Sequence, residues 1–88
     1  MTAKYLVMAM RTPGFDDAVI EPHRLFLAEL LERGQLWESG KFTDGSGGAY
    51  VVRAESVDAA RDIAFRDPLH TTGSSDLTVY EWEITVSG

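Results

Sequence analysis

Two histidines and no cysteine leave few ways for this 88-residue chain to do chemistry. Without thiols there is no Cys nucleophile, no Cys-ligated zinc and no redox pair. No HExxH, no pair of histidines at helical spacing and no phosphate-binding glycine loop followed by a helix is present. Neither a metal nor a cofactor is therefore expected. His23 is the sharper candidate. It follows Glu21-Pro22 at the edge of an apolar stripe on the first turn of a helix. Partial burial there disfavours the imidazolium and leaves a neutral ring able to act as a base. The competing reading is a histidine that only packs and hydrogen-bonds.

Asp67 is a possible partner, because a carboxylate against an imidazole fixes its tautomer and stabilises its protonated form. An Asp before Pro68 can equally serve only to reverse the chain. The start of the first helix and the end of the second are expected at opposite ends of the sheet. On that expectation an Asp67–His23 contact needs a loop rearrangement or a second subunit. Ser39-Gly40 falls inside a strand, where glycine marks a bulge or the close approach of a ligand or backbone, and both residues are candidates for substrate binding. His70 reads as a solvent-facing loop residue and Asp44 as a turn former.

The elements that must position these groups follow from pattern. Tyr5–Met10 is a continuous apolar run suited to a central strand buried on both faces. Thr12-Pro13-Gly14 ends it, and Phe15-Asp16-Asp17 belongs to a loop. Pro22 suits a first helical turn, and Phe26, Leu27, Leu30 and Leu31 recur at helical spacing up to Gly34, a natural stop. Strands over 36–42 and 49–54 flank Asp44-Gly45-Ser46-Gly47-Gly48, a hairpin turn and only a weak match to a phosphate cradle. Ser56 can cap a second helix with the stripe Val57, Ala60, Ile63 and Ala64 and an Asp62–Arg66 pair on its outer side. Pro68 stops that helix at Asp67. A polar loop over 70–75 leads to a last strand, 77–84, with Leu77, Val79 and Glu81 on one face and Thr78, Tyr80 and Trp82 on the other.

The order βαββαβ is that of a single ferredoxin-like α+β domain over residues 1–88, with a four-stranded antiparallel sheet and two helices on one face. The other face has no helix to cover it. Aromatic candidates for that face are Tyr5, Trp37, Tyr50 and Trp82, and their exposure predicts a homodimer through the sheet, a dimeric α+β barrel. Net charge is −6, with fourteen acidic residues against eight scattered basic ones. That balance argues against nucleic acid and against an anionic membrane surface. No signal-peptide pattern or bilayer-length apolar run occurs, so a cytoplasmic location is expected.

Several short motifs fall in a fixed order. They are Glu21-Pro22-His23, Gly34-Gln35-Leu36, Ser39-Gly40, Glu55-Ser56-Val57-Asp58-Ala59-Ala60, Asp67-Pro68 and Gly73. In that order and spacing the chain resembles the YciI-like, or YCII-related, family over nearly its whole length. The resemblance implies a dimeric α+β barrel with a pocket near the histidine of each subunit, and a His and an Asp acting together. Those two positions correspond here to His23 and Asp67. One branch of the family is linked to dechlorination of hydroxylated aromatics. Many relatives follow the strand glycine with proline, whereas Gly40 here precedes Lys41.

The leading expectation is a small-molecule lyase, isomerase or hydrolase. In it His23 moves a proton, Asp67 orients it, and Ser39 and the Gly40 backbone line the pocket. The alternatives are a non-catalytic ligand-binding or accessory dimer, with His23 inaccessible and bonded to backbone, and a cofactor-free monooxygenase-like or haem-handling barrel.

Overall fold

The computed structural model describes residues 3–88. Four strands, β1 (Ala3–Arg11), β2 (Leu36–Lys41), β3 (Gly47–Val52) and β4 (Ser75–Glu83), form one sheet in the order β2-β3-β1-β4. Every neighbouring pair is antiparallel. Helix α1 (Ile20–Glu32) connects β1 to β2, and α2 (Val57–Ala64) with the short α3 (Pro68–Thr71) connects β3 to β4. The ferredoxin-like α+β order expected from the sequence is the order observed.

Side-chain alternation decides what the helices cover. Tyr5, Val7 and Ala9 of β1 point to one face, and the register puts Tyr5 opposite Val52 and Val7 opposite both Tyr50 and Val79. All of these but Ala9, which packs with Val19 and Leu69, join Leu30, Ala60, Ile63 and Ala64 in the main core, with Phe26, Leu27, Leu36 and Val57 packed around them. The two buried alanines of α2, Ala60 and Ala64, have no bulk to hold the helix away from the sheet. Its start is fixed by Ser56, whose Oγ accepts from the Ala59 N–H at 3.1 Å.

Some sequence expectations are corrected. Tyr5 and Tyr50 do not lie on the open face; they are 5 % and 3 % exposed beneath the helices, because they share the parity of Val7 and Val52. The open face is built by Leu6, Met8, Val51, Tyr80 and Trp82, with Trp37 at its edge beneath the Lys4 ammonium and the Arg53 guanidinium, which lie 4.6 and 3.6 Å from its ring. Accordingly β1 is buried on one face and only half-buried on the other. Leu31 falls outside the α1 stripe and is exposed. Helix α1 begins two residues before Pro22, after a 3-10 turn over Asp17–Val19 capped by Asp16. Arg66 donates to the Asp62 backbone oxygen rather than to its carboxylate, and the ion pair on α2 is Arg61–Asp58. The β2 irregularity lies between Leu36 and Glu38, not at Gly40.

The most consequential correction concerns direction. Since all neighbouring strands are antiparallel, β1 and β2 run one way and β3 and β4 the other. Each helix runs back along the sheet, so α1 starts and α2 ends at the same end, where Arg11 of β1 stands opposite Ser75 of β4. The β2–β3 hairpin closes at this end too, with the Arg11 N–H donating to the Ser46 carbonyl at 3.0 Å. One end of the sheet thus gathers all the candidate functional residues.

The hairpin can approach β1 and β2 this closely only because β3 starts with two glycines. A Cβ on Gly47 would collide with the Ala9 carbonyl oxygen, and one on Gly48 with that of Gly40. Gly47→Ala should therefore lower unfolding stability in urea by about 2–3 kcal/mol. Gly14→Ala, whose new methyl would meet only Thr12 Oγ1 at 3.6 Å, should stay within about 0.5 kcal/mol of the parent protein.

Candidate functional site

Asp67-Pro68 builds the site from a local constraint. The proline ring excludes the helical conformation for the residue before it, and Asp67 is extended at φ −61°, ψ 132°. Pro68 then opens α3, and the Asp67 Oδ1 caps it by accepting from the Leu69 N–H at 2.8 Å. The chain expected to run as a loop is thus a single helical turn, which holds the Asp67 carboxylate in the interior with no exposed surface.

A buried carboxylate is stable only when donors replace its lost water. Besides Leu69, the Tyr50 hydroxyl donates to Oδ2 at 2.8 Å and His23 Nδ1 lies 2.9 Å from Oδ1. Desolvation first, and then the charge and hydrogen bond of Asp67, push the Tyr50 hydroxyl far above its ordinary value of 10.0. Tyr50 therefore stays protonated and donates. A carboxylate offers only acceptors, so the network assigns the proton of a neutral His23 to Nδ1 and leaves Nε2 with a free lone pair. The sequence expectation that Asp67 and His23 are kept apart is overturned: the contact forms within one chain, with no rearrangement, because α1 begins where α2 ends.

His23 is 20 % exposed, and its exposed edge faces a cavity of about 400 Å³ at the hairpin end of the sheet. Ser39 and Gly40 both line it, as do Tyr50 and the apolar side chains of Phe15, Ile20, Leu27 and Leu69. Asp67 sits behind His23, bonded to the far side of the ring. His70 takes no part; it is exposed and stacks on Phe65 with ring centroids 4.6 Å apart. Asp44 is a turn residue that accepts from the Ser46 N–H at 2.9 Å. Among the described residues no group of three His, Asp or Glu side chains could hold a metal ion.

Tyr50 is the member that sequence reasoning misplaced. Its parity with Val52 was the available signal, since a tyrosine in a buried stripe needs a partner for its hydroxyl. Arg11, Arg24 and Lys41, which also line the cavity, carried no local signal of a site.

Residues 3–83 match the model of the YCII-related domain. The chain belongs to this family. Among its relatives is the uncharacterized protein YjpA of Bacillus subtilis (strain 168), to which the YCII-related chain is 41 % identical over 80 residues, 91 % of this chain and 94 % of that protein. Its fold is shared by 5-chloro-2-hydroxyhydroquinone dehydrochlorinase (TftG) from Burkholderia phenoliruptrix AC1100, solved with 2,5-dihydroxybenzoquinone. The TM-score is 0.70 at 21 % identity, covering 91 % of this chain and 93 % of that one. It is shared also by At3g17210 from Arabidopsis thaliana, with a TM-score of 0.57 at 16 % identity over 99 % of each chain.

Tyr50→Phe tests the network. It removes a hydrogen bond to a charged group and leaves Oδ2 short of a donor, so stability near neutral pH should fall by about 1.5–3 kcal/mol. The parent protein should also show an alkaline effect that the variant lacks. The unfolded chain releases the Tyr50 proton near its ordinary 10.0 while the folded chain retains it. The contribution is complete below that pH and declines as pH rises past it. Urea unfolding of both proteins from neutral to alkaline pH measures the two effects.

Proposed function

We propose that this YCII-related protein is a small-molecule acid–base enzyme of lyase, isomerase or hydrolase type, with His23 as the proton-transfer group and Asp67 as its orienting partner. The observation that carries this reading is the His23–Asp67 contact of 2.9 Å, backed by Tyr50 and opening on a cavity. Nε2 accepts a proton from the substrate, the positive charge that develops is stabilised by the buried carboxylate at Nδ1, and Nε2 returns the proton later in the reaction. Ser39 and the Gly40 backbone contact the substrate.

TftG supports a lyase version. In a dehydrochlorination a base takes a proton from the substrate, and the electron pair released expels chloride. A neutral histidine with a fixed tautomer suits the first half of that step. The accessory-dimer alternative expected His23 to be sealed off and bonded to backbone; instead it is partly exposed and bonded to a carboxylate.

The same reading includes a homodimer through the open face of the sheet, where Trp37, Tyr80 and Trp82 are 43, 49 and 48 % exposed. It also includes a cytoplasmic location, and among the described residues no helix is long and apolar enough to cross a membrane.

Chloride release from chlorinated hydroxyhydroquinones is the first assay, followed by loss of deuterium from labelled phenolic and enolic compounds. On any substrate so found, His23→Gln should lower kcat by about 10²–10⁴-fold. A variant as active as the parent overturns the acid–base role. In sedimentation equilibrium the parent should have twice the chain mass, and Trp82→Glu should shift it towards monomer; a monomeric parent protein removes the dimer from the proposal.

A further inference from the structure

The charged side chains lining the cavity are of one sign. Arg11, Arg24 and Lys41 reach it, and no aspartate or glutamate does, although acidic residues outnumber Lys and Arg by fourteen to eight. Arg24 has a carboxylate nearby, Glu21 at 4.0 Å. Among the described residues Arg11 and Lys41 have no salt-bridge partner.

Strand register puts these two cations on the same side of the sheet. Arg11 shares the parity of Ala9, and Lys41 that of Ser39, and Ala9 and Lys41 both stand opposite Gly48. Both therefore sit on the helix-covered face, on strands flanking β3, about 12 Å apart by two strand spacings across and the two residues from Ala9 to Arg11 along. Between them Gly47 and Gly48 place no side chain. The Arg11 guanidinium lies 4.1 Å from the Phe15 ring centroid, which orients it without using its hydrogen-bond donors. The deeper wall is apolar, with Ile20, Leu27 and Leu69, and His23 borders it.

We propose that the cavity takes a small organic anion, with its charged oxygen in the gap between Arg11 and Lys41 and its apolar body against Leu27 and Leu69, so that its acidic proton meets His23. The assignment rests on the reading of His23 as the acid–base group for the position of that proton, but not for the recognition of charge. Carboxylates and ionised phenols or enols share this chemistry. In either case the two cations hold the anion and stabilise charge that grows on it as His23 removes a proton.

Two matched pairs of probes separate the sources, benzoate with benzamide and 4-nitrophenolate with 4-nitroanisole, each titrated into ¹⁵N-labelled protein. In at least one pair the anion should bind about tenfold more tightly, the size of one charge-assisted hydrogen bond. It should shift the Ser39, Gly40 and Gly48 amides, and added salt should erode its advantage. The pair that shows the preference names the source. Arg11 and Lys41 are exposed, so the double variant Arg11→Gln/Lys41→Gln should fold, as spectral dispersion will show, and lose the preference. His23→Gln should keep it. Equal affinities within both pairs, no cavity shifts from either anion, or a preference that survives in the double variant each overturn the assignment. A preserved preference in a fully active His23→Gln protein leaves the anion site standing and removes the acid–base reading, so the two fail separately.

Discussion

A carboxylate with no exposed surface needs hydrogen bonds from the protein itself, and the site end of this fold is organised around supplying them to Asp67. Its three donors come from three segments distant in sequence: His23 on α1, Tyr50 on β3 and the Leu69 backbone on α3. Removing any one leaves charge poorly solvated inside the core, a larger penalty than the modest net gain of an ordinary hydrogen bond. The network therefore clamps α1 and α3 to the sheet at the end where the hairpin and β4 converge. The requirement that stabilises this corner also orients an imidazole at the wall of a cavity. The stability of this corner and the proposed chemistry rest on the same bonds.

The strands and helices were legible from periodicity and punctuation. Ser56, Gly34 and the alternation of Leu77 and Val79 report local conditions, and local conditions decide those elements. What failed was of two kinds. Aromatic character alone places Tyr5 and Tyr50 on the open face, but Val7 and Val52, both fully buried, mark the covered face, and two-residue alternation carries the tyrosines with them. The separation expected between His23 and Asp67 was an error of direction, since antiparallel neighbours and returning helices bring the start of α1 and the end of α2 together. His23, Asp67, Ser39 and Gly40 were nameable from residue type and motif. The Tyr50 bond and the convergence of Arg11 and Lys41 were not, because they depend on tertiary register rather than on neighbours in sequence.

The small residues at this end make the cavity possible. Ala9, Ser39 and Gly48 share the helix-covered face here, where larger side chains would fill the space between strand and helix. Gly47 and Gly48 are also required by backbone collision. The hairpin thus packs tightly through its backbone while leaving its surface empty of side chains. Such an arrangement combines a stiff floor with an open volume, and a stiff floor keeps the distance between a bound reactant and His23 from drifting.

Charge completes the argument. A net charge of −6 would by itself repel small anions from much of the surface. Three of the eight basic residues nevertheless reach this one cavity, while Asp67 is sealed behind His23 and held by its three hydrogen-bond donors. Sequestering that carboxylate has two consequences. It can stabilise a developing imidazolium across a 2.9 Å contact, and its lack of exposed surface keeps it from meeting an incoming anion directly. In the proposed reaction a base that must become positive and a reactant that arrives negative can then share one cavity, each held by groups of the opposite sign.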